Sequence, residues 1–120
     1  MIQVSYNEKQ NTVIIEFSGK IDVRQVEQHY PDVQKAVPKA KKGFKLLTDF
    51  TRVEEMNLDI QGPIKKTMDF LNQQGVKKIV RVIPDPAQDV GFSIMSLFHY
   101  SKEVKFLTVV SRQEAEELLQ

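Results

Sequence analysis

The 120-residue chain has no cysteine and no tryptophan. Without thiols there is no disulfide, no thiolate nucleophile and no cysteine-ligated metal, and the absence fits a reducing compartment. Histidine is scarce as well. His29 and His99 are the only two, and nothing supplies a metal-ligand spacing such as His-x3-His. A dominant charge is missing too: the net charge is +1, so no global field draws the chain to nucleic acid or acidic membranes. Long apolar runs are absent. The longest stretch free of Asp, Glu, Lys and Arg, residues 90–101, falls well short of the roughly 20 residues a membrane-spanning helix needs. The first residues, MIQVSYNEKQN, lack the basic and apolar segments of a signal peptide. These absences predict a cytoplasmic protein with no nucleic-acid partner and no membrane insertion.

Glycine-rich catalytic loops are missing in the same way. Ser18-Gly19-Lys20 matches only the tail of a phosphate-binding loop and follows a hairpin strand. Gly91-Phe92-Ser93 lacks the second glycine of a serine-nucleophile elbow. What is present is an ordinary globular composition, 41% hydrophobic and 28% charged, on a chain of one-domain length.

Residues 2–6 alternate apolar and polar, and residues 12–17 are rich in β-branched side chains, so the two predict an antiparallel hairpin broken by Ser18-Gly19-Lys20. Asp22, with Gln25 three residues on, has the form of a capping box. Val23, Val26, Tyr30 and Val33 then recur at helical spacing, with a kink or restart expected at Pro31. A third strand over residues 44–48 delivers Asp49 to a polar loop. Gly62-Pro63 opens a second helix with an apolar stripe of Ile64, Met68 and Leu71, and Gly75 closes it. Residues 76–83 read as the fourth strand. Residues 89–100 read as an unusually apolar third helix, and 104–110 as the fifth strand. Ser111 caps a last helix, with Glu114 at the capping-box position. The order β-β-α-β-α-β-α-β-α implies a mostly parallel sheet with right-handed crossovers.

That order, with LLTDFTRVEEM, MDFLNQQGVKKIVRVIP and VKFLTVVSRQEAEELL at its strand and helix junctions, resembles the STAS domain of anti-sigma-factor antagonists, the SpoIIAA-like proteins. The resemblance spans nearly the whole chain. It implies a single α/β domain over residues 1–120, with a mixed five-stranded sheet and about four helices. It also implies a non-catalytic regulatory domain that binds a protein partner and needs no cofactor or metal. Regulated members of that family carry a phosphorylatable serine in a turn at the start of the second helix. Here the matching residues 57–63, Asn-Leu-Asp-Ile-Gln-Gly-Pro, hold no serine or threonine, and Asp59 falls near the serine position.

The candidate partner-binding residues are Thr51, Glu54, Glu55, Asn57, Asp59 and Gln61, an acidic loop beside a helix start whose dipole favours negative charge. The alternative is a small apolar, lipid-like ligand held beside the third helix by Phe92, Met95 and Phe98. The same apolar helix leaves a homodimer open. An enzyme centred on Asp49 would need further acids to hold a magnesium ion, and no Asp-x-Asp pair is present. Lys35, Lys39, Lys41, Lys42 and Lys45 read as a solvated connection, and both histidines as surface or partly buried groups.

Overall fold

The computed structural model describes residues 1–56, 58–85 and 103–120. Strands β1 (Ile2–Asn7) and β2 (Thr12–Ile21) form the expected antiparallel hairpin. Its turn closes through Asn7 Oδ1, which accepts from the Gln10 N–H at 3.2 Å. Asn11 takes a positive φ of 51°, a conformation asparagine tolerates better than most residues. The hairpin does not end at Ser18-Gly19-Lys20. β2 runs on to Ile21 because it finds a parallel partner, β3, and the register shifts between Glu16 and Ser18 and again between Gly19 and Lys20, β3 carrying the extra residue each time. Gly19 itself takes a left-handed backbone, φ 73°, at little cost to a glycine.

Helix α1 (Val23–Ala36) begins with the predicted capping box. The Gln25 N–H donates to Asp22 Oδ1 at 3.0 Å, and the Asp22 N–H donates to Gln25 Oε1 at 3.3 Å. The helix passes through Pro31 without a restart. Pro31 and Glu27 are both exposed, so the carbonyl that loses its donor lies on the solvent side, where the loss is cheap. The buried stripe is Val26, His29, Val33 and Ala36. His29, read as a surface or partly buried group, is 3% exposed and sits where Tyr30 was expected. Its Nδ1 meets the Val26 carbonyl. Tyr30 lies at the edge of the stripe instead, edge-on to Phe70 at 5.8 Å and under the Lys66 ammonium.

β3 (Lys45–Met56) is far longer than the predicted strand and absorbs most of the predicted loop. A short 3-10 turn (Leu58–Ile60) leads into α2 (Gln61–Gln73), which buries Ile64, Thr67, Met68 and Leu71. Gly75, at φ 88°, provides the predicted left-handed stop. β4 (Lys78–Val82), β5 (Lys105–Val109) and α3 (Arg112–Leu119) follow, with Ser111 Oγ accepting from the Glu114 N–H at 3.3 Å. The predicted helix over residues 89–100 lies outside the described residues.

The sheet order is β1-β2-β3-β4-β5, antiparallel at β1 and parallel elsewhere. Strands that advance in one direction through right-handed crossovers put their connecting helices on one face. Accordingly α1 and α2 cover one face, over a core that includes Ile15, Phe17, Leu46, Phe50, Met68 and Ile79. The opposite face needs its own cover. α3 supplies it by packing Ala115 and Leu119 on Leu47, Val80 and Val82. Alternation along β3 feeds both cores.

Met68 is buried and Phe106 only partly so. Met68→Ala should therefore lower the unfolding free energy by about 2–5 kcal/mol in urea titration, and Phe106→Ala by less than full burial would predict. A loss below about 1 kcal/mol at Met68 would mean that α2 does not pack as described.

Candidate functional site

Asp49 lies within β3 rather than at its end, on the face covered by α3. The side chain is largely buried, and a buried carboxylate has to be paired or hydrogen-bonded. Asp49 Oδ1 accepts from the Thr51 N–H at 2.8 Å and from the Thr51 hydroxyl. Asp49 Oδ2 takes an ion pair from Arg112 Nη1, also at 2.8 Å. The sequence carried no sign of Arg112 as a partner, although it is the first residue of α3 and faces the strand once that helix is placed. Burial pushes the Asp49 pKa up, but the Thr51 hydrogen bonds and the Arg112 guanidinium outweigh it and hold it below its ordinary value of 3.8. Arg112 also reaches Glu116 through Nε at 2.8 Å and Glu16 through Nη1 at 3.5 Å. Beside this group opens a cleft of about 230 Å³, lined by Gln3, Glu16, Ser18, Thr51 and Arg52 among others. Among the described residues, no three His, Cys, Asp or Glu side chains are grouped to hold a metal ion.

The predicted docking residues divide into groups. β4 pairs with β3 only as far as Asp49↔Val82, whereas β2 stays paired out to Ile21↔Met56. Among the described residues, the far half of β3 is therefore paired with β2 alone, as a two-stranded ribbon beyond the pairing with β4. Ile21 is buried beneath it, and Val53 and Met56 pack on the core. Glu54 and Glu55 are exposed on this ribbon, Asp59 is exposed in the 3-10 turn, and Gln61 is exposed as the first residue of α2. Thr51 is exposed but belongs to the Asp49 cleft, since its hydroxyl is committed there. Asn57 lies outside the described residues. The start of α2 is built unusually: buried Ile60 occupies the cap position, and among the described residues no side-chain capping hydrogen bond is made there. The first N–H groups of α2 consequently have no side-chain cap of the common kind.

Phe92, Met95, Phe98 and His99 also fall outside the described residues. The apolar cavity that can be described lies between the sheet and the α1/α2 layer, with Phe17, His29, Phe50, Thr67 and Arg81 in its wall, and measures about 40 Å³. Pockets that hold drug-sized ligands run to roughly 300–1,000 Å³. Of the lysines read as a solvated connection, Lys35, Lys39, Lys41 and Lys42 are exposed, while Lys45 turns inward and donates to the Leu119 carbonyl. No helix among the described residues is long and apolar enough to cross a membrane.

No protein-family model matches this sequence, and no curated protein matches it. Solved structures do match. An uncharacterised DUF3478-family protein with a SpoIIAA-like fold, from Shewanella loihica PV-4, superposes with a TM-score of 0.73 at 16% identity, over 100% of this chain and 93% of its own. The anti-sigma factor antagonist SpoIIAA in its unphosphorylated form gives 0.68 at 18% identity, over 99% and 96%. The Bacillus cell fate determinant SpoIIAA in its phosphorylated form gives 0.67 at 20% identity, over the full length of both chains. The fold is thus the SpoIIAA-like α/β fold that the sequence resemblance implied.

The Asp49–Arg112 pair makes a pH prediction. A carboxylate whose folded pKa is depressed adds stability above its unfolded pKa, and that stability is lost as pH falls through the folded value. Asp49→Asn should be less stable than wild type at pH 7 by about 1–2 kcal/mol, modest because Arg112 is one-third exposed and water screens the pair. The gap should close as pH drops below 3.8 and the wild-type carboxyl protonates. Parallel urea titrations of the two proteins across pH check this, and identical midpoints at every pH would show that the pair contributes nothing.

Proposed function

We propose that this chain is a non-catalytic regulatory domain of the cytoplasm that docks a protein partner on the projecting β2/β3 ribbon and the start of α2. The observation that carries the reading is the placement of exposed Glu54, Glu55, Asp59 and Gln61 around one uncapped helix start, on a ribbon that extends beyond the β4 pairing. One of the fold neighbours is described as an anti-sigma factor antagonist, in its unphosphorylated form. Acidic side chains around a helix N-terminus favour a partner surface rich in lysine and arginine, since complementary charge steers encounter and fixes register. Neither nucleic acid nor a membrane suits that acidic face.

The neighbour structures include SpoIIAA both phosphorylated and unphosphorylated. In this chain residues 57–63 carry no hydroxyl to modify. Asp59 would place a carboxylate there without any modification, so the domain would behave as a constitutive form of a phosphorylation switch.

The test reverses charge on the ribbon. Glu54→Lys/Glu55→Lys should melt within a few degrees of wild type, because exposed substitutions seldom cost more than about 0.5 kcal/mol. Like charges brought together across an interface can cost several kcal/mol, so capture of a native partner from source-cell lysate should fall to background. Glu27→Lys, on the exposed side of α1, should capture normally. Equal capture by all three proteins would move the docking face away from the ribbon.

A further inference from the structure

At the opposite end of the sheet from the acidic ribbon, the strand register brings together lysines that are distant in sequence. Lys45 of β3 pairs in register with Lys78 of β4, and Lys78 with Lys105 of β5. Register partners share a face, so three ammonium-bearing side chains rise side by side from adjacent strands. Like charges directly opposite one another destabilise a sheet, so such a row needs compensation. Part of it comes from α3: Lys45 Nζ donates to the Leu119 carbonyl, and Lys78 Nζ to the Leu118 carbonyl at 2.6 Å. A helix C-terminus offers only about half a negative charge against those two full positive ones.

Lys77 and Lys105 receive no such help. Both are exposed and have no side-chain hydrogen bond or ion pair among the described residues. Their backbones are nevertheless fixed, because the Lys77 N–H donates to the Phe44 carbonyl at 2.9 Å and the Lys105 N–H to the Lys77 carbonyl at 3.1 Å. Together with Lys45 and Lys78 they line a cleft of about 430 Å³ in which Glu103 is the one acid among the described lining residues. That volume lies in the range of small-ligand sites. Among the described lining residues there is no aromatic ring for a nucleobase to stack on.

From this we infer that the cleft at the amino ends of β3, β4 and β5 binds a small multivalent oxyanion of the polyphosphate class. The lysines act as point charges that a phosphate chain bridges, and Lys77 and Lys105 are the free donors. The ligand relieves the repulsion built into the row. The site is independent of the acidic ribbon, so its failure would leave the docking proposal standing, and the reverse also holds.

The experiment titrates the full chain with inorganic tripolyphosphate at low salt, following amide shifts by NMR. Saturable binding is expected, with shifts concentrated at residues 43–45, 77–78 and 103–105. Lys77→Gln and Lys105→Gln should each weaken binding about tenfold. Lys105→Arg should retain it, and the surface controls Lys20→Gln and Lys35→Gln should leave it unchanged. Near 1 M salt, where the screening length shrinks to about 3 Å, affinity should collapse. ATP should bind no tighter than tripolyphosphate. The inference fails if tripolyphosphate does not saturate in the millimolar range, if the control lysines matter as much as Lys77 and Lys105, or if ATP binds far more tightly than tripolyphosphate.

Discussion

Strand β3 has sheet neighbours on both sides and helices over both faces, and the rest of the molecule is organised by its alternation. Leu46 and Phe50 point into the core beneath α1 and α2, while Leu47 points into the smaller core beneath α3. The polar residues of the same alternation then have only one place to go. Lys45 and Asp49 share the Leu47 face and bracket it. Lys45 holds the carboxyl end of α3 through the Leu119 carbonyl, and Asp49 holds its amino end through Arg112. Four residues of strand span about 13 Å and seven of helix about 10 Å, a difference the long lysine and arginine side chains cover. The small core that Ala115 and Leu119 of α3 form with Leu47, Val80 and Val82 is thereby closed at both ends by polar contacts. Arg112 is less well placed for the helix dipole than Lys45, since a cation at a helix start is disfavoured. Its three carboxylate partners, Asp49, Glu16 and Glu116, reverse that balance.

Fixing α3 so firmly separates the two ends of the sheet in character. At the amino end of the parallel strands the side chains are cationic, and Lys45 and Lys78 turn toward the α3 terminus. At the carboxyl end β3 continues past its pairing with β4 and displays acids. A chain with a net charge of +1 can therefore carry two ends of different character, a lysine row at one and, at the other, Glu54, Glu55 and Asp59 beside Lys20 and Arg52. Composition averages these away, which is why near-neutrality says little about what a particular face attracts. Attraction between the acidic end of one molecule and the basic end of another would be screened at physiological salt, within about 8 Å.

The parts of this fold that were legible in the sequence are those set by local chemistry. Asp22 and Gln25 cap α1 within four residues, Gly75 stops α2 by its own backbone freedom, and Ile64, Met68 and Leu71 announce their face by spacing. The misreadings share a cause, which is that a distant partner decided the outcome. Ser18-Gly19-Lys20 looks like a terminator until β3 lies alongside, bulging to stay paired with the continuing β2. Residues 51–56 look like a loop because their polar side chains hide a strand whose pairing is supplied by β2, more than thirty positions earlier. Pro31 interrupts a helix only if the freed carbonyl is buried, and here it faces water. The site followed the same rule. Asp49 and the acids Glu54, Glu55 and Asp59 stood out as residue types, but Arg112 lies 63 positions from Asp49 and carries no sign of the pairing. The lysine row is likewise invisible along the chain, because only strand register brings residues 45, 78 and 105 together.

The start of α2 brings these strands of argument together. A phosphoserine carries about −1.5 to −2 charges at pH 7 and three acceptor oxygens, whereas an aspartate carries one charge and two oxygens. Asp59 beside an uncapped helix start could reproduce the sign of a modified switch at reduced strength and with no off state. A partner tuned to that face would then read the presence of the domain rather than its modification. Control would have to act through the amount of protein or through a second site. A site at the far end of the same strand would be mechanically connected to this one, because β3 runs from Lys45 to Met56 through both cores. Such a connection carries a signal only for a ligand with different affinities for two states of the domain, since a ligand that binds both equally shifts neither.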